Sequence, residues 1–352
     1  MKKITLTLFV LMTFHFGFTQ DALYSQFSFT PMYFNPGLTG TGKDYLRLSA
    51  VTKLQWFNLY KPYKYFSGGM DYAIYDDSRR NILNLGFNVN HQSKGYISNT
   101  NISGIVGRSF GTNVSCKEWF LNIALQAGYN FARVNPSQFV FIDQLNQNGI
   151  TGLPSDVELF KTINSKNYFD FSSGFVFTYR NFMIGAAVHH MNEPATSFVG
   201  TPDDSKLPKK ITTHLSYSNV NEYNVIGLKP TIITQFQGKS SVISAGGIID
   251  YADFPIEFGL WYRNAIGLAN NSSFCIGVTW KLGKKMAVLD KGAYTSKMGL
   301  NYDVDMYRPG IKTTFGSMEF GVQKDFNVTG GDVPCPTGNS GDCNVRYPWE
   351  FF

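Results

Sequence analysis

Residues 317–326 read Ser-Met-Glu-Phe-Gly-Val-Gln-Lys-Asp-Phe. Met318, Phe320, Val322, Lys324 and Phe326 fall on one parity; Ser317, Glu319, Gly321, Gln323 and Asp325 fall on the other. Side chains of a β-strand point to opposite faces in turn, so this segment has one apolar face and one wet face. A soluble sandwich can show the same alternation. Here it recurs in nearly every predicted strand from about residue 45 to residue 326, with no helix-period stretch after the first twenty residues. That is the sequence form of a transmembrane β-barrel, with lipid outside and water or polar packing inside.

Working outward from that segment, parity and turn residues divide the chain into fourteen strands. They lie near 45–57, 65–75, 82–92, 97–110, 118–133, 167–179 and 182–191, then near 209–220, 225–237, 240–252, 254–263, 272–282, 295–306 and 316–326. Several outward faces read cleanly. Leu83, Leu85, Phe87 and Val89 alternate with Asn84, Gly86, Asn88 and Asn90. Phe274, Ile276, Val278, Trp280 and Leu282 alternate with Cys275, Gly277, Thr279 and Lys281. The expected fold is all-β, an antiparallel up-and-down barrel.

The strand number has a consequence for topology. An even count puts both barrel ends on the periplasmic side, so odd-numbered connections face out. Outer-membrane barrels have long outer loops and short periplasmic turns. The two longest connections, about 134–166 and 192–208, are the fifth and seventh, so both fall outside. The tight links Arg180-Asn181 and Gly283-Lys284 are even-numbered and fall inside.

Composition fits this class. Charged residues make up 16% of the 352, against roughly 25% in soluble proteins, and aromatics also make up 16%. The mean hydropathy of −0.14 is too polar for a helical membrane protein. Aromatic-rich, glycine-rich strands suit a barrel with aromatic girdles. Residues 1–19 carry Lys2 and Lys3 followed by the apolar run Ile4 to Phe18, the pattern of a cleaved signal peptide. Removing them leaves 29 basic against 25 acidic residues, a spread-out net charge of +4 that gives no reason to expect nucleic acid. No later apolar run approaches the roughly 18 residues of a membrane helix.

The expected organisation is therefore a signal peptide at 1–19, an N-terminal segment at 20–44, the barrel at 45–326 and a tail at 327–352. Each flanking segment can plug the lumen from the periplasmic side or project into the periplasm. In an exported, oxidising setting Cys335 and Cys343, in the Gly/Pro/Asp-rich tail, are expected to close a small disulfide loop. Cys116 and Cys275 are expected as free or buried thiols.

A search for chemistry finds little. The histidines are His15, His91, His189, His190 and His214, and no HExxH, nucleophile elbow, Walker loop or GxGxxG fingerprint is present. His189 and His190 are adjacent on a strand, so one is expected to face the lumen and the other the lipid or the rim. A serine–histidine pair, His189 with Ser173 or His214 with Ser216, is conceivable on the lumen face, where serines are common. The inward charges are Arg47, Lys53, Asp71, Asp170, Asp250, Glu257, Lys281, Asp303, Asp305 and Glu319. They are expected to pair and stiffen the barrel; the competing reading is an ion or solute path. Neither cofactor nor metal is expected. The long loop at 134–166 carries Phe139, Phe141, Ile142, Asp143 and Gln144, suited to gripping a partner or to folding inward as a lid.

Six segments, taken in order, resemble the PorP/SprF family, outer-membrane proteins of the type IX secretion and gliding machinery of the Bacteroidetes. They are YSQFSFTPMYFNPGLTG (24–40), KLQWFNLYKPYKYFSGGMDY (53–72), and NIALQAGYNF followed by FVFIDQLNQNG (122–149). YFDFSSGFVF leading to VHHMNEPATSF, LPKKITTHLSY (207–217) and GLWYRN (259–264) complete the run. Within them Phe141, Asp143, Gln144, His190, Pro194 and Phe198 occupy places similar to the family's pattern. Gly299-Leu300-Asn301-Tyr302-Asp303 and Met318 depart from it, which bears on subfamily rather than membership.

The resemblance implies a non-enzymatic protein of the outer membrane. It would help export, or hold at the cell surface, a large secreted adhesin recognised by its C-terminal domain. Outer-loop residues Phe139, Phe141, Asp143, Gln144, Pro194 and Phe198 would meet that domain, and the periplasmic ends would meet secretion or gliding-motor components. The reading from a different class is a porin or solute-transport barrel.

Overall fold

A computed structural model of the chain describes residues 21–42, 46–75, 81–111, 119–135, 139–140, 142–147, 149–151, 165–198, 205–220, 226–251, 254–266, 271–282, 296–306, 314–326 and 348–351. The signal peptide, Cys116, Phe141, Cys335 and Cys343 lie outside the described residues, as does the Gly283-Lys284 link.

Five barrel strands come first: β1 (Leu46–Gln55), β2 (Tyr63–Tyr75), β3 (Asn81–Lys94), β4 (Ile97–Phe110) and β5 (Trp119–Val134). Two short strands, β6 (Leu145–Asn146) and β7 (Gly149–Ile150), form a separate hairpin in the long connection that follows. The barrel resumes with β8 (Ser165–Tyr179), β9 (Phe182–His189), β10 (Lys210–Tyr217), β11 (Ile226–Gln237) and β12 (Ser240–Tyr251). It ends with β13 (Ile256–Ile266), β14 (Asn271–Leu282), β15 (Ser296–Asp305) and β16 (Ser317–Phe326). Barrel strands pair antiparallel with their neighbours in sequence, β5 pairs with β8, and β1 with β16 closes the ring. Fourteen strands therefore form the closed barrel, each boundary within three residues of the sequence expectation.

Alternation decides the two faces. On β5, Leu125 is 65% exposed while Ala124 between its neighbours is buried; on β14, Ile276 is 53% exposed beside fully buried Cys275. Outward leucines, isoleucines and phenylalanines this exposed are stable only against lipid. Among the described residues no helix is long and apolar enough to cross a membrane. The β6–β7 hairpin leaves no signal in the sequence. Its strands are two residues long, below the length at which alternation can be read.

Inside, the lumen is filled. Residues 21–42 run through it from the end bearing the two long connections to the end where β1 begins. Phe29, Met32, Phe34 and Leu38 of this segment are almost wholly buried. Pro31–Phe34 and Pro36–Leu38 make short helical turns, each with a proline pre-set for the first helical position. From the opposite end Pro348–Phe351 enters, and Phe351 packs in one cluster with Phe27, Phe34, Leu38, Trp261 and Cys275.

Candidate functional site

The internal segment is held by polar groups of the barrel wall, because every backbone N–H and C=O it brings inside needs a partner. At the short-turn end, Asp71 on β2 accepts from Gly40 N at 2.7 Å and pairs with Arg47 of β1 at 2.9 Å. Arg47 Nη2 also donates to the Leu38 carbonyl at 2.7 Å. In the middle, Asn122 Nδ2 donates to the carbonyls of Gly37 and Thr39 at 2.7 and 2.8 Å. Asn35 Oδ1 accepts from Gly37 N at 2.8 Å while its Nδ2 donates to the Phe175 carbonyl at 3.0 Å. This turn lies so close to β8 that a Cβ on Gly37 would sit 2.7 Å from the Phe175 backbone; only glycine fits there.

A charged cluster grips the start of the segment. Lys53 on β1 pairs with Asp303 and Glu319 at 2.8 Å each and donates to the Leu23 carbonyl at 2.7 Å. Glu319 accepts from the backbone N–H groups of Ser25 and Gln26. Arg263 Nη2 donates to Ser25 Oγ at 2.6 Å, and Ser25 Oγ donates to Asp303 at 2.8 Å. A second network, Lys229 with Glu257 and Asp250 and Lys281 with Asp250, lines the other wall. The expected pairing of inward charges is what the lumen contains. Lys229, Arg263 and Lys297 belong to these networks and share the same inward parity, the signal by which sequence could have found them.

At the long-loop mouth, Asp21 meets His190 Nε2 at 3.0 Å and Lys210 Nζ at 3.3 Å, and His190 Nδ1 contacts Asp170 Oδ2 at 2.8 Å. Burial opposes charge on both Asp21 and His190. Even so, His190 and Lys210 hold the Asp21 carboxyl well below the carboxylate range, and Asp21 and Asp170 raise His190 to about 9. The inward position of His190 corrects the parity expectation. His189 faces the lumen, donating from Nε2 to the Phe34 carbonyl at 3.3 Å. His190, with φ of +57°, has left the extended backbone, so it turns inward as well. His214 Nε2 lies 3.2 Å from Asn35 Nδ2, and Ser216 accepts from Thr231, so these two side chains engage other partners.

The proposed loop residues other than Phe141 are spread over the mouth. Phe139 is partly buried, edge-on to Tyr96 with ring centroids 5.1 Å apart. Asp143 is exposed and Gln144 partly so, and the Gln144 carbonyl accepts from Thr151 N. Pro194 is buried, its carbonyl accepting from Leu207 N, and Phe198 is partly buried. Among the described residues of this loop the most exposed apolar side chains are aliphatic: Ile142 at 90% and Ile150 at 66%.

Solved structures similar to this chain include the following three. Against Omp33 of Acinetobacter baumannii the identity is 8%, covering 82% of this chain and 100% of that one, TM-score 0.42. Against the CymD monoaromatic hydrocarbon channel it is 11%, covering 87% and 94%, TM-score 0.47. Against the Pseudomonas putida toluene transporter TodX it is 11%, covering 88% and 96%, TM-score 0.46. None of these is close enough to carry a function across. No curated protein matches the sequence. The model of the type IX secretion system membrane protein PorP/SprF matches residues 16–322, a span that takes in the internal segment and nearly all of the barrel. The chain is an outer-membrane barrel that belongs to the PorP/SprF family of type IX secretion system membrane proteins.

Proposed function

We propose that this barrel is a non-enzymatic, non-conducting adaptor that helps export, or anchors at the cell surface, a large secreted adhesin. The single observation behind this reading is the filled lumen: residues 21–42 occupy it and are held by buried wall residues from many strands. A transport barrel keeps a path open; here the wall charges are spent on holding the segment and on each other.

With the lumen closed, interaction falls to the ends. The long-loop face, where Asp143 and the β6–β7 hairpin are exposed and Gln144 partly so, meets the C-terminal domain of the adhesin. The periplasmic end meets secretion or gliding-motor components. Family membership supports partners within the secretion machinery. Deleting residues 135–165 tests it: the adhesin should leave the cell surface while the barrel still assembles. An adhesin retained as in the wild type would refute the outer-loop contact.

A further inference from the structure

The cavity at the long-loop mouth carries an inference beyond the adaptor reading and independent of it. It lies between the start of the internal segment and the ends of β3, β4, β5, β8 and β9. Six polar atoms that line it are buried without a partner: Asn90 Oδ1, Gln92 Oε1, Asn99 Oδ1, Gln126 Oε1, Asn130 Nδ2 and Asp170 Oδ1. Leaving a buried polar group unpaired forfeits its hydration without return, and native proteins carry few such groups. Six around one cavity are a built set of hydrogen-bonding sites.

Three of these side chains are engaged through their second atom. Gln126 Nε2 donates to Ser103 Oγ at 3.0 Å, Asn99 Nδ2 donates to the Tyr168 hydroxyl at 3.2 Å, and Asp170 Oδ2 accepts from His190. These three side chains are therefore fixed with their open atoms presented to the cavity. Asn130 and Asp170 are more than nine-tenths buried, while Asn90, Gln92 and Asn99 are partly exposed, so the cavity can be entered.

Charge narrows the ligand class. His190 and Lys210 stand at this cavity already paired with Asp21 and Asp170, so an added cation meets two positive groups and an added anion meets two carboxylates. The open atoms are five acceptors and one donor, which asks for a neutral molecule bearing several hydroxyl groups. Tyr24, Tyr33 and Tyr168 supply aromatic surface for its C–H faces. We propose that the cavity binds a pyranose sugar, either free or as the end of a surface glycan.

The test is calorimetric titration of the purified full chain in detergent with glucose, galactose, mannose and N-acetylglucosamine, and with the delipidated core oligosaccharide of the host lipopolysaccharide. Saturable binding of at least one sugar is expected, weakened at least tenfold by Gln126→Leu and by Asn130→Ala. Binding of the core oligosaccharide alone would identify the glycan source; binding of a monosaccharide would identify the free one. Heat-modified electrophoretic mobility shows that each variant barrel has folded, and Tyr168→Phe, which keeps the ring, provides a milder variant. No heat with any of the five probes up to 50 mM would overturn the proposal, leaving a cavity that holds water only. Undiminished binding in both the Gln126 and Asn130 variants would overturn it equally.

Discussion

Glu319, on the last strand of the barrel, accepts hydrogen bonds from the backbone N–H of Ser25 at 2.8 and 3.0 Å, across a sequence separation of 294 residues. The same carboxylate pairs with Lys53 at 2.8 Å, directly opposite it in the β1–β16 register. The pair that closes the ring is thus also the pair that fastens the internal segment. Removing one partner of a buried charge pair costs about 3–5 kcal/mol, because the other charge and its donors are left stranded. Asp303 still faces Lys53, so Glu319→Ala should lower stability by about 3 kcal/mol in urea unfolding of the detergent-solubilised protein. A change under about 0.5 kcal/mol would mean that the cluster is not what holds this seam.

Gly37 gives a second handle. With its added Cβ aimed at the Phe175 backbone, Gly37→Ala overpacks a site that cannot yield, at a cost of about 1–3 kcal/mol. Gly95, where a Cβ meets nothing, is the control for the loss of glycine itself, although its positive φ adds some strain. Protease sensitivity of residues 21–42 should rise in the Gly37 variant and not in Gly95→Asn, since Asn tolerates the left-handed region.

The contact between Asp21 and His190 makes the mouth sensitive to pH. Both residues lie beyond the strand ends. His190 holds its proton more tightly when folded, up to about 9. Its contribution is therefore complete below the ordinary histidine value of about 6.5 and is lost as pH rises through about 9. Asp21, held below the usual range, contributes above about 3.8 and loses that contribution in acid. A fluorophore placed at Ala22 should keep constant anisotropy between about pH 5 and pH 7 and loosen near pH 9. In His190→Gln the alkaline change should vanish.

Cys275 is fully buried against the internal segment and is free. A maleimide should therefore leave it unmodified in the folded barrel and label it after unfolding. Labelling in the folded state would mean that the lumen admits solutes of that size.

The strands were legible because period two is enforced by geometry: one face meets lipid and the other does not, and a slip by one residue would reverse them. Lys53 and Glu319 could be placed inward by that rule alone, and they are buried. Parity fails where the backbone is no longer extended. At His190 a left-handed φ redirects the side chain, and no residue type in Val188–Met191 signals it. Residues 21–42 carry no repeating period, so their aromatics and prolines fit a plug or a projecting arm equally well. Which of the two they form depends on distant partners such as Asp71 and Asn122, and a local pattern contains no information about those.

The central claim is that the lumen is closed, and single-channel recording of the purified protein in a planar bilayer tests it most directly. The account predicts silence for the wild type and discrete openings when residues 21–42 are loosened by pairing Gly37→Ala with Glu319→Ala. A steady open pore in the wild type would contradict it.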